Sequence, residues 1–265
     1  MPELIEVELY RQLAEGALDR TIAAVDAPDA WYLKRGTTAE ELHSALEGRS
    51  FARARRTGKW LLLDIVGDGG EPSGVLGLHF GMSGRLLIDD TGPIERLEYA
   101  PDRSEAKWDR FALGFDDGGD LRMQDPRRLG AVELDPDEAS LGTEASTITP
   151  AQLRSVLARS HAPLKARLLD QNHIAGIGNL LVDEMLWRAG LDPAREASSL
   201  SPAELRRLHR HLRTTIAELT ARGGSHTGDL HQARVRGSTC PKDGTPLERR
   251  TIGGRTTYSC PRHQH

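Results

Sequence analysis

The residues with the most chemical content stand at the very start of the chain. Met1-Pro2-Glu3-Leu4-Ile5-Glu6-Val7-Glu8 places a proline behind the initiator methionine and a carboxylate directly after it. Removal of Met1 would expose a secondary α-amine. Such an amine titrates at about 7.7–8.0, so roughly a tenth or more is neutral and nucleophilic near neutral pH, unlike the side chain of lysine. Its attack on a sugar C1′ gives an iminium ion, and Glu3 is close enough to serve as the acid or base of that step. The same residues also read as a helix start, since proline suits the first helical position and glutamate the first turn. A helix beginning at Pro2 would hold the amine at its positive end and favour the deprotonated form.

A second set lies at the other end. Cys240-Pro241-Lys242-Asp243 and Cys260-Pro261-Arg262-His263 form CxxD and CxxH pairs with sixteen residues between them. Two pairs at this spacing make a zinc ribbon when all four residues are ligands, and Cys240, Asp243, Cys260 and His263 are acceptable zinc donors. A ribbon that has lost its metal competes with that reading, and His265 could replace a ligand. Only two cysteines occur, so no disulfide framework is indicated.

Between these ends lie three tips. Arg53, Arg55, Arg56 and Lys59 cluster before Trp60-Leu61-Leu62-Leu63, and Gly58-Lys59 puts one lysine at the lip of a sheet. Gly81-Met82-Ser83-Gly84 sets an apolar side chain in a glycine-flanked loop, either a core gap-filler or a wedge for a base stack. Asp125-Pro126-Arg127-Arg128-Leu129-Gly130 is a tight turn with two arginines beside an apolar residue. Further on, Gly176-Ile177-Gly178-Asn179 separates two helical stretches. Its glycines permit close backbone approach, and Asn179 is expected to cap the next helix, whose amides suit a phosphate.

The elements that must position these groups follow from periodicity. Leu4, Val7, Tyr10 and Leu13 predict an amphipathic helix over residues 2–17, ended near Gly16. A strand is expected at 21–25 and a short helix from the capping box Thr38-Ala39-Glu40-Glu41 to Gly48. From Phe51 to Leu134 the texture is that of short strands at 60–66, 75–80, 85–88, 111–115, 121–124 and 131–134. Gly67-Asp68-Gly69-Gly70 and Asp116-Asp117-Gly118-Gly119 punctuate them, which suggests an antiparallel sandwich or barrel. From Pro150 the pattern is helical, and Ser201-Pro202-Ala203-Glu204 opens the last helix, which runs to Gly223-Gly224.

The net charge of −4 argues weakly against a polyanionic partner, but the charge is segregated. Residues 204–265 hold 12 Lys/Arg against 5 Asp/Glu, whereas residues 85–144 hold 8 against 16. A basic C-terminal segment is a docking surface for a polyanion, although Arg206, Arg207, Arg210 and Arg213 alone fit a solvated helix face. No apolar run approaches the ~20 residues of a membrane span, and the acidic N-terminus is no signal peptide. A cytoplasmic, nucleoid-associated protein is expected.

Taken in order, these motifs resemble those of the formamidopyrimidine-DNA glycosylase and endonuclease VIII family over nearly the full chain. The matching pieces are Pro2-Glu3, Gly58-Lys59, Gly81–Gly84, Asp125–Arg128, Gly176–Asn179 with Glu184, and Gly253-Gly254-Arg255-Thr256-Thr257. The resemblance implies a multidomain α+β fold. An N-terminal antiparallel β-sandwich with flanking helices would occupy residues 1–134, followed by a linker, 135–149. A helix–two-turn–helix domain would span 150–224 and a zinc-ribbon-like β-hairpin 225–265.

It also implies a bifunctional DNA glycosylase and abasic-site lyase acting as a monomer on damaged double-stranded DNA held in a cleft between domains. Pro2 would be the Schiff-base nucleophile, Glu3 the proton donor, and Lys59 a catalytic and phosphate-binding lysine. Asn179 and Arg255 would grip flanking phosphates, while Met82, Arg127 and Leu129 would fill the gap left by a flipped nucleotide.

Four departures bear on these roles: Ile5 for a proline, Leu129 for a phenylalanine wedge, and Asp243 and His263 for cysteines. The fourth is a span of only ten residues between Asp229 and Cys240, where some members carry a loop that caps 8-oxoguanine. The expected substrates are therefore abasic sites, oxidised pyrimidines or ring-opened purines. The rival readings are a catalytically silent DNA-binding paralogue and an RNA-binding hairpin protein. The second leaves Pro2, Glu3 and Lys59 unexplained.

Overall fold

Glu3, in extended conformation, sets where the first helix begins. Its side chain accepts from the amide of the third helical residue, and the Glu6 carboxylate accepts from the Glu3 amide at 2.8 Å. This reciprocal capping box opens α1 (Leu4–Ala14), so Pro2 stands before the cap and not inside the helix as its sequence suggested. The computed structural model describes every residue except Met1, Asp68, Glu95, Arg96, Tyr99 and Asp102. The processing of Met1 and the Asp68 position of the predicted Gly67–Gly70 turn thus lie outside the described residues. The chain divides into two compact units, Met1–Glu138 and Ala139–His265.

In the first unit α1 is followed by β1 (Ile22–Asp26), α2 (Ala39–Leu46), β2 (Ser50–Thr57), β3 (Trp60–Val66), β4 (Pro72–His79), β5 (Arg85–Ile88), β6 (Asp109–Phe115), β7 (Asp120–Gln124) and β8 (Ala131–Leu134). The strands form two four-stranded antiparallel sheets, ordered β2-β3-β4-β8 and β1-β6-β7-β5. Alternate residues face inward, as the period-2 geometry of a strand requires. Leu61, Leu63, Ile65, Leu76, Leu78 and Val132 of one sheet share a single core with Ile22, Phe111, Leu113, Leu121 and Met123 of the other. This is a sandwich, one of the two alternatives the strand pattern allowed. Tyr10 and Ala14 of α1 and Leu42 and Leu46 of α2 complete the core. The Thr38–Glu41 capping box opens α2 as expected.

The second unit begins with β9 (Thr143–Glu144), α3 (Pro150–Ala158), α4 (Leu164–Leu169), β10 (Ile174–Ala175) and α5 (Asn179–Ala189). It ends with α6 (Pro202–Ala221), β11 (Glu248–Ile252) and β12 (Arg255–Ser259). A short parallel pair, β9 with β10, pins the stretch before α3 to the connection between α4 and α5. The segment expected to be a plain linker therefore carries order of its own. Gly178, in extended conformation, is the N-cap of α5, and Asn179 is its first helical residue. This corrects the capping role expected of Asn179, because the glycine can take the cap conformation and leave the amide side chain to point elsewhere. Ser201 and Glu204 cap α6 reciprocally. Strands β11 and β12 pair from Glu248↔Ser259 to Ile252↔Arg255, with Gly253-Gly254 at the turn. No described helix is long and apolar enough to cross a membrane.

Candidate functional site

Strand register gathers three of the predicted tips at one end of the β2-β3-β4-β8 sheet. Thr57 pairs with Trp60, Trp60 with His79 and His79 with Ala131. The Gly58-Lys59 turn, the His79–Gly84 loop and the turn ending at Gly130 thus leave the sheet side by side. Helix α1 reaches the same loops. Tyr10 packs against Phe80 with the rings tilted and their centroids 4.4 Å apart and donates from its hydroxyl to Gly84 O at 3.2 Å, while Glu8 accepts from Arg56 at 3.2 Å. Pro2 and Glu3 are buried at the start of this helix, and Lys59 is half-buried. Burial, with the nearby Lys59 charge adding to it, holds the His79 imidazole down to about 4, so the ring is neutral at physiological pH.

Asp125 ties the Met82 loop and the Arg127–Leu129 turn together. Its fully buried carboxylate accepts from Ser83 Oγ at 2.5 Å, Arg127 N at 3.0 Å, Leu129 N at 2.8 Å, Gly130 N at 2.9 Å and the Tyr32 hydroxyl at 3.4 Å. Ser83 belongs to the Met82 loop, so one carboxylate shapes both tips. Gly81, at φ +55°, lies so close that an added Cβ would sit 2.4 Å from the Leu129 backbone. Met82 is half-buried, Arg127 is exposed and Leu129 is 47% exposed, large for an apolar side chain with a core within reach.

Several other arginines of this unit are engaged internally. Arg128, at φ +56°, places its guanidinium on both Asp29 oxygens at 2.6 Å. Arg55 bonds Asp64 at 2.7 Å and Glu138 at 2.6 and 2.7 Å, and Arg56 is bound to Glu8 and Gly58 O. The cationic run before the Leu61–Leu63 strand therefore lies on the edge strand β2, with Arg55 and Arg56 folded onto carboxylates and Arg53 exposed.

In the second unit Asn179 Nδ2 donates to Thr256 O at 3.2 Å, which brings it beside exposed Arg255 at the hairpin turn. Lys165 steadies the same carbonyl at 3.2 Å and the Thr257 hydroxyl at 2.8 Å, and pairs with Asp183 at 2.7 Å, both side chains fully buried. Arg234 binds the other Asp183 oxygen. This buried ion group locks α4, α5 and the hairpin together. Glu184 has a structural task. It accepts from Asp229 N at 3.1 Å and Leu230 N at 2.9 Å and pairs with Arg188 at 2.6 Å, which pins the segment after α6 onto α5.

Cys240, Asp243, Cys260 and His263 come together, with one donor atom of each within 4.8 Å of the others. Tetrahedral zinc bonded to sulfur, nitrogen and oxygen would set S···N at about 3.6 Å, S···O at about 3.5 Å and N···O at about 3.3 Å. The corresponding separations are 3.7 Å for Cys240 Sγ to His263 Nδ1, 3.4 Å for Cys260 Sγ to Asp243 Oδ2 and 3.2 Å for His263 Nδ1 to Asp243 Oδ2. The donor set fits the metal in type and in spacing. His265, the possible substitute, is exposed and is not among the four. Trp187 braces the group, with its indole N–H to Cys240 Sγ at 3.3 Å and its carbonyl to His263 Nε2 at 3.2 Å. The second contact leaves Nδ1 as the nitrogen aimed at the other donors.

The profile of the formamidopyrimidine-DNA glycosylase N-terminal domain matches residues 1–132, and that of the formamidopyrimidine-DNA glycosylase H2TH domain matches residues 140–230. The chain belongs to the formamidopyrimidine-DNA glycosylase family. Curated relatives agree along the whole length. The formamidopyrimidine-DNA glycosylase of Chloroflexus aurantiacus is 32% identical over 98% of this chain and 96% of the relative, and that of Paracoccus denitrificans is 34% identical over 98% and 99%. The solved Lactococcus lactis Fpg bound to abasic-site DNA superposes with a TM-score of 0.80 at 26% identity, covering 99% of each chain. Another complex of that protein, with DNA containing an oxidised pyrimidine, gives 0.81 at 27%.

Several residues that shape this member of the family were not singled out by sequence. Asp125 read as the start of a turn, though Asp before Pro is a side-chain-to-backbone turn signal. Ser83, Asp29, Trp187 and the Lys165–Asp183 pair carried no local signal, since their partners are distant in the chain.

Proposed function

We propose that the chain removes oxidised bases from duplex DNA and then cuts the strand at the abasic site. Pro2 is the nucleophile, after loss of Met1. Its amine attacks C1′, the glycosidic bond breaks, and the iminium acidifies the neighbouring sugar carbon for β- and then δ-elimination. Glu3 donates to the leaving base or the opening sugar and accepts the proton of elimination. The observation that carries the reading is the placement of Glu3. A fully buried carboxylate, fixed by a capping box, follows directly on the residue that would bear the amine.

Lys59, Asn179 and Arg255 hold phosphates, which positions the strand without reading sequence. Met82, Arg127 and Leu129 occupy the gap, offsetting the few kcal/mol that base extrusion costs. Cys240, Asp243, Cys260 and His263 hold a zinc ion whose part is structural, closing the base of the Arg255 hairpin.

Substrate preference follows from the segment after α6. Glu184 and the buried Leu230 tie residues 228–233 to α5, so this stretch is held down and is no mobile cap for a flipped purine. Abasic sites, oxidised pyrimidines and ring-opened purines are the preferred substrates over 8-oxoguanine. Fast removal of 8-oxoguanine from matched duplexes would overturn that preference. The chemistry is tested by borohydride trapping on abasic-site DNA. A covalent adduct is expected, lost in Pro2→Gly and strongly reduced in Glu3→Gln. DNA binding with no adduct would instead indicate a catalytically silent paralogue.

A further inference from the structure

Among the described residues the exposed large apolar side chains are Trp31 at 66%, Leu129 at 47% and Val235 at 58%. A lone exposed tryptophan needs no explanation. Trp31 is not alone, because its segment runs alongside the turn that carries Leu129. Leu33 bridges Val132 in parallel, Lys34 N donates to Val132 O at 3.1 Å, and Val132 N donates to Tyr32 O at 3.0 Å. Asp29, which holds the Arg128 guanidinium, also accepts the Trp31 amide at 3.2 Å, and Tyr32 reaches the Asp125 carboxylate. The contact is so close that a Cβ on Gly130 would lie 2.1 Å from the Tyr32 hydroxyl. Two of the three exposed apolar groups thus share one tip, fixed by the hub that shapes the wedge turn.

The surroundings of the indole indicate its partner. Lys34 Nζ lies 4.2 Å from the ring centroid and also donates to Trp31 O, so a cation and a π-face are presented together. Exposed Arg127 adds a second cation at the same tip. Aromatic faces beside cations are what nucleic acids bind, by stacking and phosphate attraction combined. Leu129 and Met82 have no π-face, so Trp31 is the ring this tip offers. Resting on the DNA reading above, we infer that Trp31 is a further DNA-contacting residue, stacking on a base or sugar of the duplex beside the gap that Met82, Arg127 and Leu129 fill.

The test uses the full chain and a duplex carrying a tetrahydrofuran abasic analogue, with affinity measured by anisotropy over a range of salt. Trp31→Ala should weaken binding at least fivefold, the low end of alanine substitution at a stacked base. The slope of log K against log salt should not change, because stacking releases no counterions. Trp31→Phe keeps a ring and should bind within about twofold of the parent. DNA should quench part of the parent's tryptophan emission, and that part should vanish in Trp31→Phe. Since Trp31 is exposed, neither change should shift the melting temperature. Affinity within twofold for Trp31→Ala with the quench intact would overturn the inference, as would a changed salt slope, which would reduce Trp31 to a holder of Lys34. Failure of the parent itself to bind the abasic duplex would instead sink the DNA reading.

Discussion

Asp125 offers the sharpest quantitative test. Its buried carboxylate accepts five hydrogen bonds, two of them from the adjacent amides of Leu129 and Gly130 onto one oxygen. Asp125→Asn keeps the shape but turns one oxygen into a donor. The amide nitrogen should settle on the Ser83 side, where the hydroxyl can turn to accept from it, so the Arg127 amide is the donor left without an acceptor; the opposite placement would strand both the Leu129 and Gly130 amides. An unsatisfied buried donor costs about 1–3 kcal/mol, so a loss of about 2 kcal/mol is expected, and about 4 for Asp125→Ala, which strands all three amides. For a unit of this size a loss of about 2 kcal/mol lowers the melting temperature by about 7 °C. Ser83→Ala, which removes a single bond, should lose only about 1 kcal/mol. Urea unfolding of the parent and the three variants measures these differences. In the same proteins affinity for abasic DNA should fall with the loss of turn order. A change below about 1 kcal/mol for Asp125→Asn would refute the argument, because the turn would then be held by its backbone and not by the carboxylate.

Further outcomes follow from the other groups. Asp183→Asn faces Lys165 and Arg234 with a neutral amide and should destabilise the second unit by about 3–5 kcal/mol, the penalty for breaking a buried ion group, as read by urea titration. Trp187→Phe removes the N–H to Cys240 and should lower zinc affinity about 10- to 100-fold in competition with a chromophoric chelator, whereas Cys240→Ser should abolish stoichiometric loading. His79 is held down to about 4 against 6.5 for the unfolded chain. Above pH 6.5 both states are neutral. As pH falls from 6.5 towards 4 only the unfolded state gains the proton, so stability is lost in that window. The loss is roughly 2 kcal/mol after allowing for the ring's partial solvent contact. His79→Gln should flatten this part of the stability curve, and an unchanged slope would show that the ring is already charged in the folded state.

Much of this architecture is legible in the sequence. Period-2 strands, the Thr38 and Ser201 capping boxes and the two short cysteine motifs are local signals, and the fold follows them. What was not legible depends on partners far apart in sequence. In sequence Arg55 and Arg56 are part of a cationic cluster before a strand, and Arg128 is one of two arginines in a tight turn. Their carboxylates, Glu138, Glu8 and Asp29, lie 83, 48 and 99 residues away. Boundaries failed where two local choices were equally good. Proline and Glu3 both suit a helix start, and the cap geometry of Glu3 decided for Leu4. Gly178 and Asn179 both suit a cap, and the glycine took it. In the Cys240, Asp243, Cys260 and His263 cluster the four donors are legible in sequence but Trp187 is not, because nothing in a helical pattern marks which tryptophan will face a thiol.

The neutralised arginines of the first unit bear on how this protein finds its targets. Arg20, Arg55, Arg56, Arg122 and Arg128 are all committed to carboxylates, whereas the second unit leaves Arg206, Arg210, Arg213, Arg236, Arg249 and Arg255 exposed. Each phosphate that a cation neutralises adds about −0.9 to the log–log slope of affinity against salt. The salt-dependent share of DNA affinity should therefore reside mainly in the second unit, and replacing its exposed arginines should flatten that slope where replacing the paired arginines of the first unit leaves it nearly unchanged.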